Sequence, residues 1–163
     1  MIRLLAVQQK DRELLWNIHQ KYLYEMTNYY DDPMDGAGNY HYGHFDAYFS
    51  DPQRTAYFLY EDDALVGFAM LHPYSCVAET PDHTLAEFTI FPAHRRRRLA
   101  FDAANLLLKE HPGRWEIKYN EKNTAAKRLW NMVAAPYSPE VVHLNDTETV
   151  LLFTKEPEQH PPV

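Results

Sequence analysis

The spacing of apolar positions changes period repeatedly along the chain, and each change marks an element. "IRLLAV" (2–7) is a short apolar run of strand length, after which Leu14, Leu15, Ile18, Tyr22 and Met26 recur at helical spacing within 10–30. "DDPMDGAGNYHYG" (31–43) breaks the pattern with Pro33, Gly36, Gly38 and Gly43, so a loop is predicted, with a short helical piece from Phe45 to Phe49. "RTAYFLYEDDALVGFAMLH" (54–72) reads as two strands joined at Glu61–Asp63, a hairpin, and "TLAEFTIF" (84–91) as a third strand ending at Pro92. From Arg96 to about Glu110, Leu99, Ala103, Leu106 and Leu107 share one helical face, and "HPG" (111–113) stops it. "RWEIKY" (114–119) alternates as a strand. Ala126, Leu129, Trp130 and Val133 then mark a further helix, and two β runs follow at 140–145 and 148–154. The order β-α-(α)-β-β-β-α-β-α-β-β predicts an α/β mixed sheet with helices on both faces.

Composition narrows this picture. At 163 residues, the chain is predicted to form one domain over 1–154, and its polar, Pro-rich end, 155–163, to be a disordered tail. A net charge of −7 opposes general affinity for nucleic acid or an anionic membrane, so any anion site must be local. Cys76 is the only cysteine, which points to a reducing compartment. No segment approaches the ~18 apolar residues of a membrane span, and a cytoplasmic protein is expected.

The local exception to the acidic balance is "FTIFPAHRRRRLAFDAANLLL" (88–108), where four arginines stand between a strand and a helix. A strand that runs into a helix exposes unpaired N–H groups at the positive end of the helix dipole, and Arg95, Arg96, Arg97 and Arg98 would strengthen such a site for phosphate. Alternatively the run is a solvated charged face, or a nucleic-acid patch, although aromatic interleaving is absent.

The stretch resembles the pyrophosphate-binding motif of the GNAT N-acetyltransferases, Arg/Gln-x-x-Gly-x-Gly/Ala after a strand ending in V-x-P-x-x. Ile90, Phe91, Pro92, Ala93 and His94 correspond to that strand end, Arg95 opens the motif, Arg98 stands at the first Gly and Ala100 at the second. "NTAAKRLW" is similar to the family's Asn-x-x-Ala-x-x-aromatic-aromatic helix through Asn123, Ala126, Leu129 and Trp130. "PGRWEIKYNEKNTAAKRLW" looks especially like a bacterial subgroup of predicted acetyltransferases. The resemblance implies the GNAT acyl-CoA N-acyltransferase fold, with a central, mostly antiparallel sheet. It also implies acetyl-CoA as cofactor, CoA as co-product, no metal, and a monomer or homodimer. Cofactor contacts would fall on Ile90, Phe91, Arg95 to Arg98, Leu99, Ala100, Asn123 and Trp130, with the amide of Ile90 or Phe91 polarising the thioester carbonyl and Arg98 gripping phosphate in place of the missing glycine.

Acetyl transfer needs a base, an oxyanion donor and a proton for the departing thiolate. Glu87, on the strand leading to the motif, is the candidate base; its other reading is an ordinary paired strand carboxylate. For the acid, Tyr137, Tyr119 and water all stand open, because Trp130 occupies the position where many family members carry Tyr. Asn123 also suits an N-cap. "HYGH" (His41, His44) with Asp46 or Asp35 has ligand-type residues in a loop without fixed geometry, and is read as pocket lining. Cys76 near His72 is read as a small buried residue and not as a nucleophile. The resemblance places the acceptor between the first loop and the last hairpin. There Asp31, Asp32, Asp35, Asp146 and Glu148 would form acidic walls, and Tyr29, Tyr30, Tyr40 and Tyr42 would offer aromatic contacts to a cationic amine. The expected function is transfer of acetyl from acetyl-CoA to a primary amine by direct attack in a ternary complex. A silent acyl-CoA sensor and a nucleic-acid module are the alternatives.

Overall fold

The computed structural model describes residues 1–77, 80–95 and 97–162. Its elements run β1 (Ile2–Ala6), α1 (Arg12–Met26), β2 (Thr55–Glu61), β3 (Ala64–His72), β4 (His83–Ile90), α2 (Leu99–Glu110), β5 (Gly113–Asn120), α3 (Thr124–Ala134), β6 (Glu140–His143) and β7 (Glu148–Lys155), with a 3₁₀ turn at Asp46–Phe49. The strands form one sheet in the order β1-β2-β3-β4-β5-β7-β6. Every neighbouring pair is antiparallel except β4 and β5, which are parallel.

Alternation along the strands supplies two cores. On one face Val66, Ala69 and Leu71 of β3 and Trp115, Ile117 and Tyr119 of β5 pack under α2 and α3. On the other, Phe58, Phe68 and Met70 pack with Leu15 of α1 and with Phe45 and Tyr48 of the loop. The apolar stripe of α1 differs in phase from the prediction. Leu15, His19 and Tyr22 lie inward, whereas Leu14, one residue and ~100° away, is exposed.

The loop after α1 is fastened from both ends. Gln20 donates through Nε2 to the Tyr40 carbonyl (2.9 Å) and accepts the Tyr40 N–H (2.6 Å), which clamps the loop onto the helix. Tyr30 donates its hydroxyl to Glu148 of β7 at 3.0 Å, reaching across the sheet. Asp35 accepts the amides of Ala37 (2.8 Å) and Asn39 (2.9 Å), a turn closed by its own side chain.

The second helix begins later than its periodicity suggests. Pro92–His94 form a 3₁₀ turn, and Arg98 is left-handed at φ +64°, so α2 starts at Leu99 and not at Arg96. A left-handed residue cannot join a right-handed helix, and the described arginines accordingly precede it in the loop.

Candidate active site

The site is built on the unequal edges of β4. Toward β3 it pairs along its length, but toward β5 the pairing covers only His83–Leu85 against Trp115–Ile117. Beyond that point the parallel strands separate and leave one edge of β4 without a partner strand. Phe91 donates its N–H to Val66 O at 2.8 Å, and antiparallel alternation then turns the N–H groups of Ile90 and Phe88 toward the gap. Of the two amides expected to polarise an acyl carbonyl, Ile90's faces the opening. Phe91's is committed to the sheet, whereas that of Phe88 also faces the gap.

A bulge decides where Glu87 points. Met70 pairs with Glu87 but Leu71 pairs with Leu85, so Ala86 is an extra residue in β4. Leu85 lies in the core under α2 and α3; two residues on, Glu87 has crossed to the α1 face, where its partner Met70 lies. There it is largely shielded, and burial raises its carboxyl to about 7, although the Tyr22 and Tyr42 hydroxyls and the Lys118 ammonium lie close enough to oppose the rise. Burial also pushes up the Tyr42 phenol, with Glu87 the next cause. The Tyr30 phenol rises to about 12, again chiefly through burial. At neutral pH, therefore, a carboxyl poised between its two forms is ringed by neutral phenols.

Glu87 forms one wall of a cavity of about 490 Å³ that Tyr42, Arg54, His72, Thr84 and Lys118 also line. Lys118 meets Glu148 at 3.1 Å, which ties the cavity to the Tyr30 contact. Below it, Glu116 is fully buried and accepts from Ser75 Oγ (2.6 Å), Cys76 N–H (3.1 Å) and Thr84 Oγ1 (3.3 Å), anchoring the segment after β3. Cys76 itself is exposed and not the buried residue expected from the sequence, because it lies in that segment and outside the strand. Of the acidic residues expected to wall the acceptor site, Glu148 reaches this cavity through Lys118, whereas Asp31, Asp32, Asp35 and Asp146 do not line it. Asp35 has turned onto its own loop. Tyr22, Arg54, Glu116 and Lys118 were missed as site residues because their role depends on the sheet register; the alternation of Glu116 and Lys118 on β5 was the only available signal.

At the other end of β4 the arginines divide. Arg95 donates through Nε to Ile90 O (2.7 Å) and forks onto Glu25 of α1 (3.0 and 2.6 Å), bracing the strand end. Arg97 pairs with Glu61 at 2.8 Å. Arg98 lies over the Phe101 ring (4.8 Å) with Asp102 at 3.7 Å, a long and exposed pair. Arg96 lies outside the described residues. The first hydrogen bond of α2 runs from Asp102 N–H to Arg98 O (3.1 Å), so the amides of Leu99, Ala100 and Phe101 stand ahead of the ladder at the helix's positive end.

Asn123 caps α3 by accepting the Ala126 N–H at 3.1 Å. Trp130 is only 5% exposed and sits edge-on to Phe88, with centroids 5.0 Å apart, so it backs the splayed strand instead of presenting a surface. Tyr137 stacks on Phe153 at 5.4 Å, on the α2/α3 side of the sheet. Tyr119 is buried, its hydroxyl accepting from Asn131 Nδ2 at 3.2 Å.

The sheet thus opens between two parallel strands, with the start of α2 on one side of the gap and a shielded carboxyl on the other. The chain belongs to the acetyltransferase (GNAT) family, whose sequence profile matches residues 13–133. The seven-stranded, mostly antiparallel sheet with helices on both faces is that family's fold. Among solved structures, an acetyltransferase from Thermus thermophilus is similar at 20% identity and TM-score 0.68, over 94% of this chain and 97% of that one. The ribosomal-protein-S18-alanine N-acetyltransferase of Escherichia coli is similar at 12% identity and TM-score 0.64, over 100% and 99%. Aminoglycoside acetyltransferase AAC(6')-Ib, in complex with coenzyme A and kanamycin, is similar at 12% identity and TM-score 0.68, over 95% of each. No curated protein matches the chain in sequence. Among the described residues no helix is long and apolar enough to cross a membrane.

Proposed function

We propose that the protein transfers acetyl from acetyl-CoA to a primary amine by direct attack in a ternary complex, with Glu87 as general base. The observation that carries this is the position of Glu87: a shielded carboxyl with a pKa of about 7, on the wall of a cavity, beside the unpaired edge of β4. The pyrophosphate would rest on the Leu99–Phe101 amides with Arg98 beside it, and pantetheine would run along the gap between β4 and β5. The thioester oxygen would accept from the Ile90 or Phe88 N–H as charge develops on it. The amine, arriving from the α1 face, would lose its proton to Glu87 directly or through one water, and its lone pair would attack the carbonyl carbon. On collapse the C–S bond breaks, the thiolate leaves and the nitrogen, cationic since the attack, gives up a second proton to water; a CoA thiol of pKa ~8.5 is a competent leaving group, protonated by Tyr137 from the α2/α3 side or by water.

The test is incubation of acetyl-CoA with a panel of primary amines, following free thiol and acetylated product by mass. Tight binding of acetyl-CoA with no acetylated amine would replace this reading by that of an acyl-CoA sensor. Tyr137→Phe is expected to lower kcat by ~10²-fold at unchanged acetyl-CoA affinity; an unchanged kcat would give the final proton to water.

Arg98→Gly separates backbone from side chain. Left-handed geometry costs a non-glycine residue ~1–2 kcal/mol, and glycine's extra chain entropy cancels roughly 0.5–1 kcal/mol of the relief, so the variant should be more stable by up to about 1.5 kcal/mol. CoA should nevertheless bind about one to two decades more weakly, through loss of a charge-assisted bond of ~1.5–3 kcal/mol. Calorimetric titration with CoA at two salt concentrations, beside a thermal melt, reads both. Tighter CoA binding by the variant would show that the guanidinium stands in the way of the phosphate.

A further inference from the structure

The charges around the cavity bear on which amine it admits. On the α1 face Ala56, Met70 and Glu87 form one cross-strand row. Two residues further along β3, ~7 Å at 3.3–3.4 Å per residue, lies a second row in which His72 pairs with Thr84, flanked by Arg54 just before β2. Among the described residues lining the cavity, Glu87 is the only carboxylate, and of the two cations Lys118 is already paired with Glu148 at 3.1 Å, which leaves Arg54. Glu116 lies beneath the second row with its oxygens already occupied by Ser75, Cys76 and Thr84.

Arg54 is held as a recognition group is held. Its guanidinium lies 4.8 Å from the Tyr74 ring centroid and 5.5 Å from that of Tyr48, and its side chain is 10% exposed. Asp51 approaches Nε at 3.4 Å but out of line for a hydrogen bond, leaving that buried N–H without an acceptor. Asp51 itself is engaged by the Gln53 amide (2.9 Å) and the Tyr74 hydroxyl (2.9 Å). The guanidinium acts on the Tyr48 hydroxyl and the Asp51 carboxylate, lowering both, but its buried Nε–H has no in-line acceptor among the described residues. His72 adds a neutral donor. Burial first, and Arg54 second, hold its ring below the usual histidine range, and because Nδ1 accepts the Tyr74 N–H at 3.1 Å the ring proton resides on Nε2.

We propose that the acceptor is a primary amine that also carries a carboxylate, with the amine at Glu87 and the carboxylate on Arg54 and His72 one row away. This rests on the acetyl-transfer reading above. A polycation would bring its second charge against Arg54, whereas a carboxylate can meet the planar guanidinium, whose buried Nε–H lacks an in-line acceptor. Selectivity would thus be set at the end of the cavity away from the cofactor gap.

The experiment compares glycine, β-alanine, lysine and a longer ω-amino acid with their carboxamides and with spermidine. kcat/KM is measured for wild type, Arg54→Gln and His72→Phe, and binding to the CoA complex by calorimetry. Free acids should exceed their amides by at least tenfold in kcat/KM and in affinity. Arg54→Gln should erase that ratio, and His72→Phe should reduce it, should the arginine variant fold poorly. Spermidine or the amides turning over as well as the acids would overturn the carboxylate assignment and leave acetyl transfer standing. Binding of the acids that depends on Arg54, without acetylation of any amine, would support the assignment and sink the transferase reading. Neither binding nor turnover with any of these amines would overturn the assignment as well.

Discussion

Glu87→Gln should lower kcat by ~10²–10⁴ while leaving acetyl-CoA affinity nearly unchanged, because it removes a proton acceptor without touching the cofactor gap. The wild-type rate should rise with pH through about 7 as the carboxyl ionises, and the variant should lack that limb. Stability gives an independent readout. A carboxyl raised in the folded state binds its proton more tightly there than in the unfolded chain, so its contribution is complete below the ordinary Glu range near 4.5 and is lost as pH climbs through 7. Glutamine carries no such loss. At pH 8 the variant should therefore be more stable than wild type by roughly 1–3 kcal/mol, a gap that closes toward pH 4. Unchanged kcat at saturating substrates would assign the proton to water or to another residue, and a stability gap independent of pH would mean that Glu87 is not shielded as described.

Gly67→Ala should cost about 3 kcal/mol in stability, near the upper end for overpacking. A Cβ there would lie 2.1 Å from the Thr89 carbonyl oxygen, which is backbone and has no rotamer to escape into. β3 and β4 would have to part beside Ile90, whose amide faces the cofactor gap, so acetyl-CoA binding should fall together with the urea midpoint. A midpoint within ~0.5 kcal/mol of wild type would show that β4 yields at this point and is not held rigidly against β3. Gly67 and Glu87 thus test two properties of one strand, its position and its chemistry.

The elements and their order were legible because each needs only local periodicity. Leu99, Ala103 and Leu107 declare a helix, "RWEIKY" a strand, and Asn123 a cap, without reference to any distant residue. The helix start was misread by three residues. Arginine is a good helix former, and only the surrounding loop, with its 3₁₀ turn at Pro92–His94, forces Arg98 to a positive φ. The charge run was visible, but its division of labour was not. Glu25 and Glu61, which claim Arg95 and Arg97, lie 70 and 36 residues away along the chain.

What the sequence determined by itself was therefore a mixed α/β sheet, a run of four arginines ahead of the second long helix, and a carboxylate on the strand that feeds it. These follow from spacing, turn chemistry and the charge of neighbouring residues. The tertiary structure alone decided which face that carboxylate serves. Strict alternation would keep Leu85 and Glu87 together, yet the bulge at Ala86 sends the leucine into one core and the glutamate to the other face. It also decided what surrounds the cavity: Asp35 turned in on its own loop, while Arg54, His72 and Lys118 came from three strand regions to line it. Register and bulges are set by pairing between distant segments, and so is the burial that moves a carboxyl from its ordinary range to about 7.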